Sequence, residues 1–308
     1  MNATVQAASG LPTTIPEYLD ALRRALAGAD PALVQDALYD AEEYLRSELA
    51  EQPGKSEAEV IAAVAGSYGA PEEVAEIYRD TEAKVQTALR APPTPLRRSL
   101  AGRFFGVIAE PRTYAALFYM LLALATGIFY FTWVVTGLSL SAGLAVLIIG
   151  IPFVILYFGS VRVLSLVEGR LVEVMLGERM PRRPLYSERG QPLLQRIGAL
   201  FTDPRTWTTQ LYFLLMLPLG TAYFTVVVTG LATSLALIAL PIGLWFGFGG
   251  EWFVDGVYFL DTVQPWEPVA CVLVGVLLLF ATLHLARGVG YVHGQLAKHM
   301  LVRSAQYA

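Results

Sequence analysis

The chain has 308 residues, of which 55% are hydrophobic and only 16% are charged, whereas about a quarter of the residues in an average soluble domain are charged. Residues 1–90 hold seven basic and 16 acidic side chains, and residues 91–308 hold 15 basic and 10 acidic ones. Because a net negative charge repels phosphate, we expect no direct binding of nucleic acid by the first part. The single cysteine excludes an intramolecular disulfide.

The first 90 residues show the start signals of a small helical domain. Asp30-Pro31 combines an N-cap residue with a proline at the first helical position. Ser56 and Glu59 have the spacing of a capping box, in which the two residues satisfy each other's backbone N–H groups. We therefore expect a helical domain over residues 15–90. The expected segments are a disordered leader at 1–14, helices at 16–27, 31–51, 57–67 and 71–90, and a linker at 91–99.

The second of these helices carries an acidic face, because four carboxylates recur along it. Such a face can bind a basic surface on another protein, so these residues are candidates for binding a partner. A helix face that simply points into solvent explains the pattern about equally well. The four candidate partner-binding residues are Asp36, Asp40, Glu43 and Glu48.

The first long apolar run predicts two membrane spans. It extends for 49 residues, from Thr113 to Val161, without one Lys, Arg, Asp or Glu. A helix needs about 20 apolar residues to cross the hydrocarbon core of a bilayer, so the run is long enough for two. We expect spans near 113–136 and 141–161, joined by a turn at Thr136–Ser141.

The second apolar run lacks Lys and Arg from Thr206 to Ala286, and we expect spans at 206–229 and 268–286. The 15 basic residues of the C-terminal part all lie outside the segments between paired spans. The positive-inside rule then predicts four spans in the cell (inner) membrane, with both termini in the cytoplasm. Residues 230–267 become an extracytoplasmic insert. Whether its part 232–250 is re-entrant or forms a fifth span stays open.

The membrane part contains an internal repeat. Residues 111–140 align without gaps to 204–233, with 16 identities in 30, and a weaker match relates 162–176 to 287–301. Because each copy has two spans, the copies share one orientation and form parallel repeats. The predicted units are repeat 1 at 100–180, a cytoplasmic connector at 181–195 and repeat 2 at 196–303.

Polar residues that follow the second span of each repeat predict an amphipathic helix along the headgroups, at 162–177 in repeat 1. His293 and His299 then lie at the membrane interface, and His284 is the only ionisable side chain expected within the spans. The lack of buried carboxylates disfavours a proton or ion pathway. No cysteine or carboxylate completes metal-ligand spacing with the histidines, so no metal site is expected.

The insert carries acidic and aromatic residues that are candidates for sensing a ligand such as a cation, a peptide or a lipid headgroup. The alternative is an aromatic belt with acidic residues that merely lack an inward retention signal. The candidate ligand-sensing residues are Glu251, Trp252, Asp255, Asp261 and Trp266.

Two parts of the chain resemble known families. The segments “EYLDALRRAL” and “YGAPEEVA”, within residues 15–80, are similar to the HAAS signalling domain, which is often associated with PadR-like transcriptional regulators. The segments “LLMLPLGTAYFTVVVTGL” and “LVEGRLVEVMLG” resemble the sensor-type membrane domain of some bacterial histidine kinases. The first resemblance implies a cytoplasmic protein partner, with a PadR-like regulator as the candidate.

The sequence as a whole predicts an all-α protein: a small cytoplasmic helical domain joined to a four-span helical membrane bundle built from two parallel repeats. The function that fits is a non-enzymatic bacterial membrane sensor that relays the state of the membrane or of the insert to a cytoplasmic partner. No nucleophile–base pair is visible, so we expect no catalytic residue and no cofactor. The alternatives are a scaffold for other membrane proteins and, less favoured, a transporter-like module. Homo-oligomerisation is left open.

Overall fold

The computed structural model describes residues 12–89, 99–144, 147, 150–183, 198, 201–246, 253–254, 257–258, 264 and 266–302. The N-terminal domain consists of α1 (Ile15–Ala25), α2 (Pro31–Glu51), α3 (Glu57–Ser67) and α4 (Pro71–Leu89). The membrane part begins with α5 (Leu100–Phe105) and a 3-10 turn (Gly106–Ala109). It continues with α6 (Pro111–Leu144), α7 (Gly150–Leu176), α8 (Pro204–Trp245), the two-residue strands β1 (Phe253–Val254) and β2 (Val257–Tyr258), and α9 (Glu267–Leu301).

The helix starts of the N-terminal domain are those that the sequence predicts. The side chain of Asp30 accepts a hydrogen bond from the backbone N–H of Ala32, and Ser56 and Glu59 form the reciprocal capping box. The domain closes around fully buried side chains on α1, α2 and α3, and burying each such side chain contributes about 1.5–3 kcal/mol. These include Tyr18, Leu22, Leu45 and Ile61. The leader before residue 12 and the linker at 91–98 lie outside the described residues.

Four helices of the described chain, α6 to α9, are long and apolar enough to cross a membrane. This number is the predicted one, and the all-α class is confirmed. The strands β1 and β2 form only a short antiparallel ladder in the segment between α8 and α9. In the membrane part, α6 and α8 pack against each other, α7 packs on α6, and α9 packs on both α6 and α8.

The predicted turn at Thr136–Ser141 is wrong, because α6 runs through it to Leu144. Gly137 serves close packing instead: a Cβ atom there would lie 2.1 Å from the ring of Tyr157 on α7. In the second repeat α8 likewise passes through Gly230 and ends at Trp245. The insert predicted at 230–267 therefore begins as a continuation of the helix.

The predicted amphipathic helix at 162–177 is also wrong as a separate element. Residues 162–176 are the second half of α7, which is continuous from Gly150. One face of this stretch packs inside the bundle, where Glu168 and Gly169 are buried, and the opposite face, with Val163 and Val174, is exposed. A sequence pattern of polar residues every third or fourth position fits a headgroup-facing helix and a helix with a polar face inside a bundle equally well. Only the packing distinguishes them.

The two repeats meet where α6 crosses α8, through glycines at equivalent positions. A Cβ atom on Gly127 would lie 2.4 Å from the carbonyl oxygen of Met216, and one on Gly220 would lie 2.1 Å from that of Ala123. Each pair is related to the other by the repeat offset of 93 residues. The absence of side chains at Gly127 and Gly220 allows the two helix backbones to touch, as small residues do at helix interfaces in membranes.

Candidate functional site

A fully buried carboxylate lies between the helices of the bundle. Glu168 of α7 is 0% exposed, and its two oxygens accept hydrogen bonds from three tyrosine hydroxyls. Tyr119 on α6 donates to Oε1 at 2.6 Å, Tyr212 on α8 donates to Oε1 at 2.9 Å, and Tyr130 on α6 donates to Oε2 at 3.0 Å. A buried charge is tolerated only when such partners satisfy it.

The histidine His293 of α9 lies on the other side of the same hydroxyls. Its Nε2 atom is 2.6 Å from the hydroxyl of Tyr119 and 2.9 Å from that of Tyr212. Its Nδ1 atom is 3.2 Å from the hydroxyl of Tyr223 on α8. Two tyrosines therefore bridge an acid and a base. We call the six residues Glu168, His293, Tyr119, Tyr130, Tyr212 and Tyr223 the tyrosine network.

The tyrosine network follows the internal repeat. Tyr119 and Tyr130 of the first copy correspond to Tyr212 and Tyr223 of the second, each pair 93 residues apart. Glu168 and His293 also occupy equivalent positions, 125 residues apart, in the weaker match that follows. Each repeat thus supplies two tyrosines and one further polar residue, which is Glu168 in the first repeat and His293 in the second. The network joins the two copies, and only the acid and the base break its symmetry.

Hydrogen-bond counting restricts the protons in the network. Each tyrosine hydroxyl has one proton, so an ionised Glu168 that receives those of Tyr119 and Tyr212 leaves their oxygens as acceptors for His293. Nε2 of His293 must then carry a proton. An uncompensated buried charge is costly, so the pair is most stable with no net charge. A pair without net charge has either a protonated Glu168 beside a neutral His293 or an ionised Glu168 beside a doubly protonated His293.

Sequence reasoning missed this site. It placed His293 at the membrane interface and left Glu168 unassigned, and His284 is not the sole ionisable residue in the spanning helices. A signal existed, because Tyr119 and Tyr130 recur in the repeat and Glu168 aligns with His293. The tyrosines are duplicated, whereas the titratable position is an acid in one copy and a base in the other. Apolar packing alone does not explain this pattern.

A second polar constellation joins the N-terminal domain to the bundle. The carboxylate of Asp36 on α2 accepts hydrogen bonds from the guanidinium of Arg179 at 3.0 Å and from the backbone N–H groups of Arg182 at 2.7 Å and Arg183 at 2.9 Å. Burial raises the pKa of Asp36, although these donors oppose the shift. The segment that follows α7 is therefore held by one buried carboxylate.

Further contacts surround Asp36 and link the domain to the segment after α7 and to two helices of the bundle, α8 and α9. Arg183 pairs with Asp40 at 3.3 Å, and Arg179 pairs with Glu82 of α4 at 3.1 Å.

At the bundle, Gln35 accepts from Arg205 of α8 at 2.9 Å, and Lys298 of α9 pairs with Asp30. The docking surface consists of Asp30, Gln35, Asp36, Asp40 and Glu82 on one side and Arg179, Arg182, Arg183, Arg205 and Lys298 on the other.

The residues that the sequence singles out are distributed unevenly over these sites. Asp36 and Asp40 belong to the docking surface, whereas the Glu48 carboxylate accepts from Gln52 and Glu43 is half-buried. Of the candidate sensing residues, Trp266 precedes α9 and is 66% exposed. The other four, Glu251, Trp252, Asp255 and Asp261, lie outside the described residues.

Comparison with known families agrees with this architecture. The four long apolar helices are those of a multi-pass membrane protein. Residues 119–301, more than half of the chain, match the family described as “Putative sensor”, and the chain belongs to that family. Residues 17–77 match the HAAS family, and both resemblances are confirmed. Neither family is enzymatic. No curated protein and no solved structure shows a significant match to the chain.

Proposed function

We propose that this protein is a non-enzymatic bacterial sensor of the cell inner membrane, in which the HAAS domain reports the state of the four-helix bundle to a cytoplasmic protein. Both termini lie in the cytoplasm, as the distribution of Lys and Arg favours. The observation that carries the proposal is the docking of Asp36 onto Arg179, Arg182 and Arg183. This contact ties the HAAS domain to the chain that leaves α7.

The route from the bundle to the HAAS domain is short. Glu168 of the tyrosine network and Arg179 of the docking surface are 11 residues apart in α7 and the segment that follows it. The helices that hold Tyr212 and His293 also carry Arg205 and Lys298, which contact the HAAS domain. A shift of one repeat relative to the other moves these anchors apart. The docked and undocked domain then form the two states that a signal biases.

Undocking uncovers the acidic face of α2. In the docked state Asp36 and Asp40 are engaged by basic residues of the same chain. The released face, together with Glu43 and Glu48, presents four carboxylates that fit a basic surface of a partner such as a PadR-like regulator. The connector and the partner thus compete for one surface, and the bundle controls the competition.

The signal enters through the bundle itself or through the segment between α8 and α9. The acidic and aromatic residues Glu251, Trp252, Asp255, Asp261 and Trp266 are the proposed sensing residues. The segment follows α8 in the chain, and α8 crosses α6 at Gly220, so a ligand that pulls on the segment acts on the contact between the repeats. Alanine substitution of Glu251 and Asp255 tests this entry point by its effect on partner binding.

The relay is tested with full-length protein and a purified PadR-like regulator. Asp36→Arg places a cation against Arg179, so we expect the HAAS domain to undock and regulator binding to change at least severalfold. Asp20→Arg is the matched control, because it makes the same charge change on α1 at a side chain that is 64% exposed. Equal regulator binding by wild type, Asp36→Arg and Asp20→Arg would contradict the relay, provided that circular dichroism shows the same helix content in all three.

A further inference from the structure

A small cavity lies between α7 and α8, beside the docking surface. Its volume is about 40 Å³, which exceeds the roughly 10–15 Å³ that one water needs on this measure. Phe158, Val161 and Leu166 form its apolar wall. Its polar lining consists of Arg162, Ser165, Asp203, Arg205, Thr206 and Thr209.

One hydroxyl in this lining has no partner among the described residues. Thr206 is 7% exposed, and its Oγ1 atom makes no hydrogen bond within the described chain. Buried polar groups in native proteins are nearly always hydrogen-bonded, so an orphan that lines a cavity points to an occupant. Two arginines in the same lining, Arg162 and Arg205, indicate that this occupant is an anion.

The other repeat provides an internal comparison, because each lining position has an equivalent there. Arg287 pairs with Glu110 at 2.7 Å, whereas the equivalent Arg162 and Asp203 are 3.8 Å apart. The equivalents of Ser165 and Thr209 are Gly290 and Ala116. A Cβ atom on Gly290 would lie only 2.9 Å from that of Ala116, so the two helices are in direct contact at this point.

The hydroxyl-bearing copy is therefore the open one. Ser165 and Thr209 stand where the other repeat has a glycine and an alanine. Their larger side chains line the cavity between α7 and α8. Thr113, the equivalent of Thr206, is also buried, and its hydroxyl has no hydrogen-bond partner among the described residues. An unpaired hydroxyl alone therefore does not distinguish the two copies. The longer distance in the Arg162–Asp203 ion pair and the larger side chains of Ser165 and Thr209 do.

We propose that this cavity binds one phosphate group. Arg162 and Arg205 line the cavity with guanidinium donors and Thr206 adds a hydroxyl, and guanidinium and hydroxyl donors are the groups that recognise phosphate oxygens. The phosphate comes from the headgroup of an anionic lipid or from phosphate free in solution.

The same guanidinium connects the cavity to the HAAS domain. Arg205 donates to Gln35 at 2.9 Å, and a guanidinium has five N–H donors, so Arg205 can hold Gln35 and a phosphate at once. A bound phosphate fixes the guanidinium in place and so stabilises the docked domain. This coupling rests on the proposed relay, whereas the binding site itself does not.

The experiment uses full-length protein that has been purified in detergent and delipidated. Native mass spectrometry measures the binding of added phosphatidylglycerol, and calorimetry measures the binding of inorganic phosphate. Arg162→Gln removes a charged donor and should weaken binding by roughly tenfold. Thr206→Val keeps the side-chain shape and should weaken it by roughly threefold. Arg287→Gln and Thr113→Val are the matched controls in the other repeat and should leave binding unchanged.

Each outcome decides between the alternatives. Phosphatidylglycerol binding that is weakened by Arg162→Gln and Thr206→Val but not by their controls supports the site with a lipid as its ligand. The same variant pattern with inorganic phosphate alone supports the site with a free anion. Binding of both probes that is equal in Arg162→Gln and Arg287→Gln, or in Thr206→Val and Thr113→Val, overturns it. Hydrogen exchange of α2 reports the coupling separately, because ligand binding without added protection of α2 contradicts only the link through Arg205.

Discussion

Glu168 and His293 occupy equivalent positions in the two repeats and face each other across the hydroxyls of Tyr119 and Tyr212. The duplicated tyrosines serve both groups, while the titratable residue differs between the copies. A symmetric pair of carboxylates would place two negative charges in one buried site, which is unfavourable. Replacement of one acid by a base removes this repulsion and keeps the shared hydrogen bonds.

The tyrosine network should stabilise the bundle. Glu168→Ala leaves the buried hydroxyls of Tyr119, Tyr130 and Tyr212 without the carboxylate that accepts from them, so we expect the free energy of unfolding to fall by about 3–5 kcal/mol. Glu168→Gln keeps an acceptor oxygen and should cost less. Unfolding in mixed detergent micelles measures both, and a loss for Glu168→Ala no greater than for Glu168→Gln would contradict the network's role.

Tyr119 and Tyr212 should be energetically coupled, because both hydroxyls bind the same oxygen and the same nitrogen. A double-mutant cycle of Tyr119→Phe and Tyr212→Phe should give an interaction energy of about 0.5–3 kcal/mol. Tyr114→Phe serves as the control partner, since its hydroxyl donates to the carbonyl of Ile108 away from the network. Additive effects of Tyr119→Phe and Tyr212→Phe would show that the network is not a unit.

The crossing of α6 and α8 should not tolerate side chains. Gly127→Ala places a methyl group against the backbone of Met216, and we expect destabilisation by about 1–3 kcal/mol or more. Gly159→Ala is the matched control on α7, where a Cβ atom meets no atom of the described chain within 4 Å. That change should be neutral or stabilising by about 0.5–1 kcal/mol, because alanine favours a helix over glycine. Unfolding in mixed detergent micelles compares the two, and equal effects would contradict close packing at Gly127.

Docking of the HAAS domain should depend on pH through Asp36. Burial raises the pKa of this carboxyl above its ordinary value of 3.8 in the docked state. The docked state then binds the proton more tightly than the undocked one, so docking is favoured at low pH and weakens as pH rises through the raised pKa. Protection of α2 from hydrogen exchange, corrected for the intrinsic rate, should increase from neutral toward mildly acidic pH. Asp36→Asn should abolish this dependence, and an unchanged slope in that variant would assign it to another group.

The elements that the sequence predicts well are those set by local signals. The capping residues Asp30 and Ser56 define helix starts, and uncharged runs of sufficient length define the four spans. The turn at Thr136–Ser141 failed for a physical reason: threonine and glycine are turn residues in water, but in a membrane bundle Gly137 permits close contact with Tyr157. The local pattern does not distinguish these uses.

The candidate site depends on contacts between distant residues, which the pattern of one segment does not contain. Tyr119 and His293 are 174 positions apart, and Asp36 and Arg182 are 146 apart. The acidic face of α2 was visible, but its engagement by the chain after α7 was not. The repeat offers the best clue, because equivalent positions such as Glu168 and His293 are expected to meet near the axis between the copies.

The central claim is that the contact between the repeats controls the docking of the HAAS domain. Hydrogen exchange of α2 in full-length Glu168→Ala measures it most directly, because the altered residue lies in the bundle and the observed helix lies in the HAAS domain. Tyr114→Phe is the control within the bundle. We expect faster hydrogen exchange of α2 in Glu168→Ala and exchange at the wild-type rate in Tyr114→Phe. Exchange of α2 that stays at the wild-type rate in Glu168→Ala, while the bundle itself is destabilised, would contradict the relay.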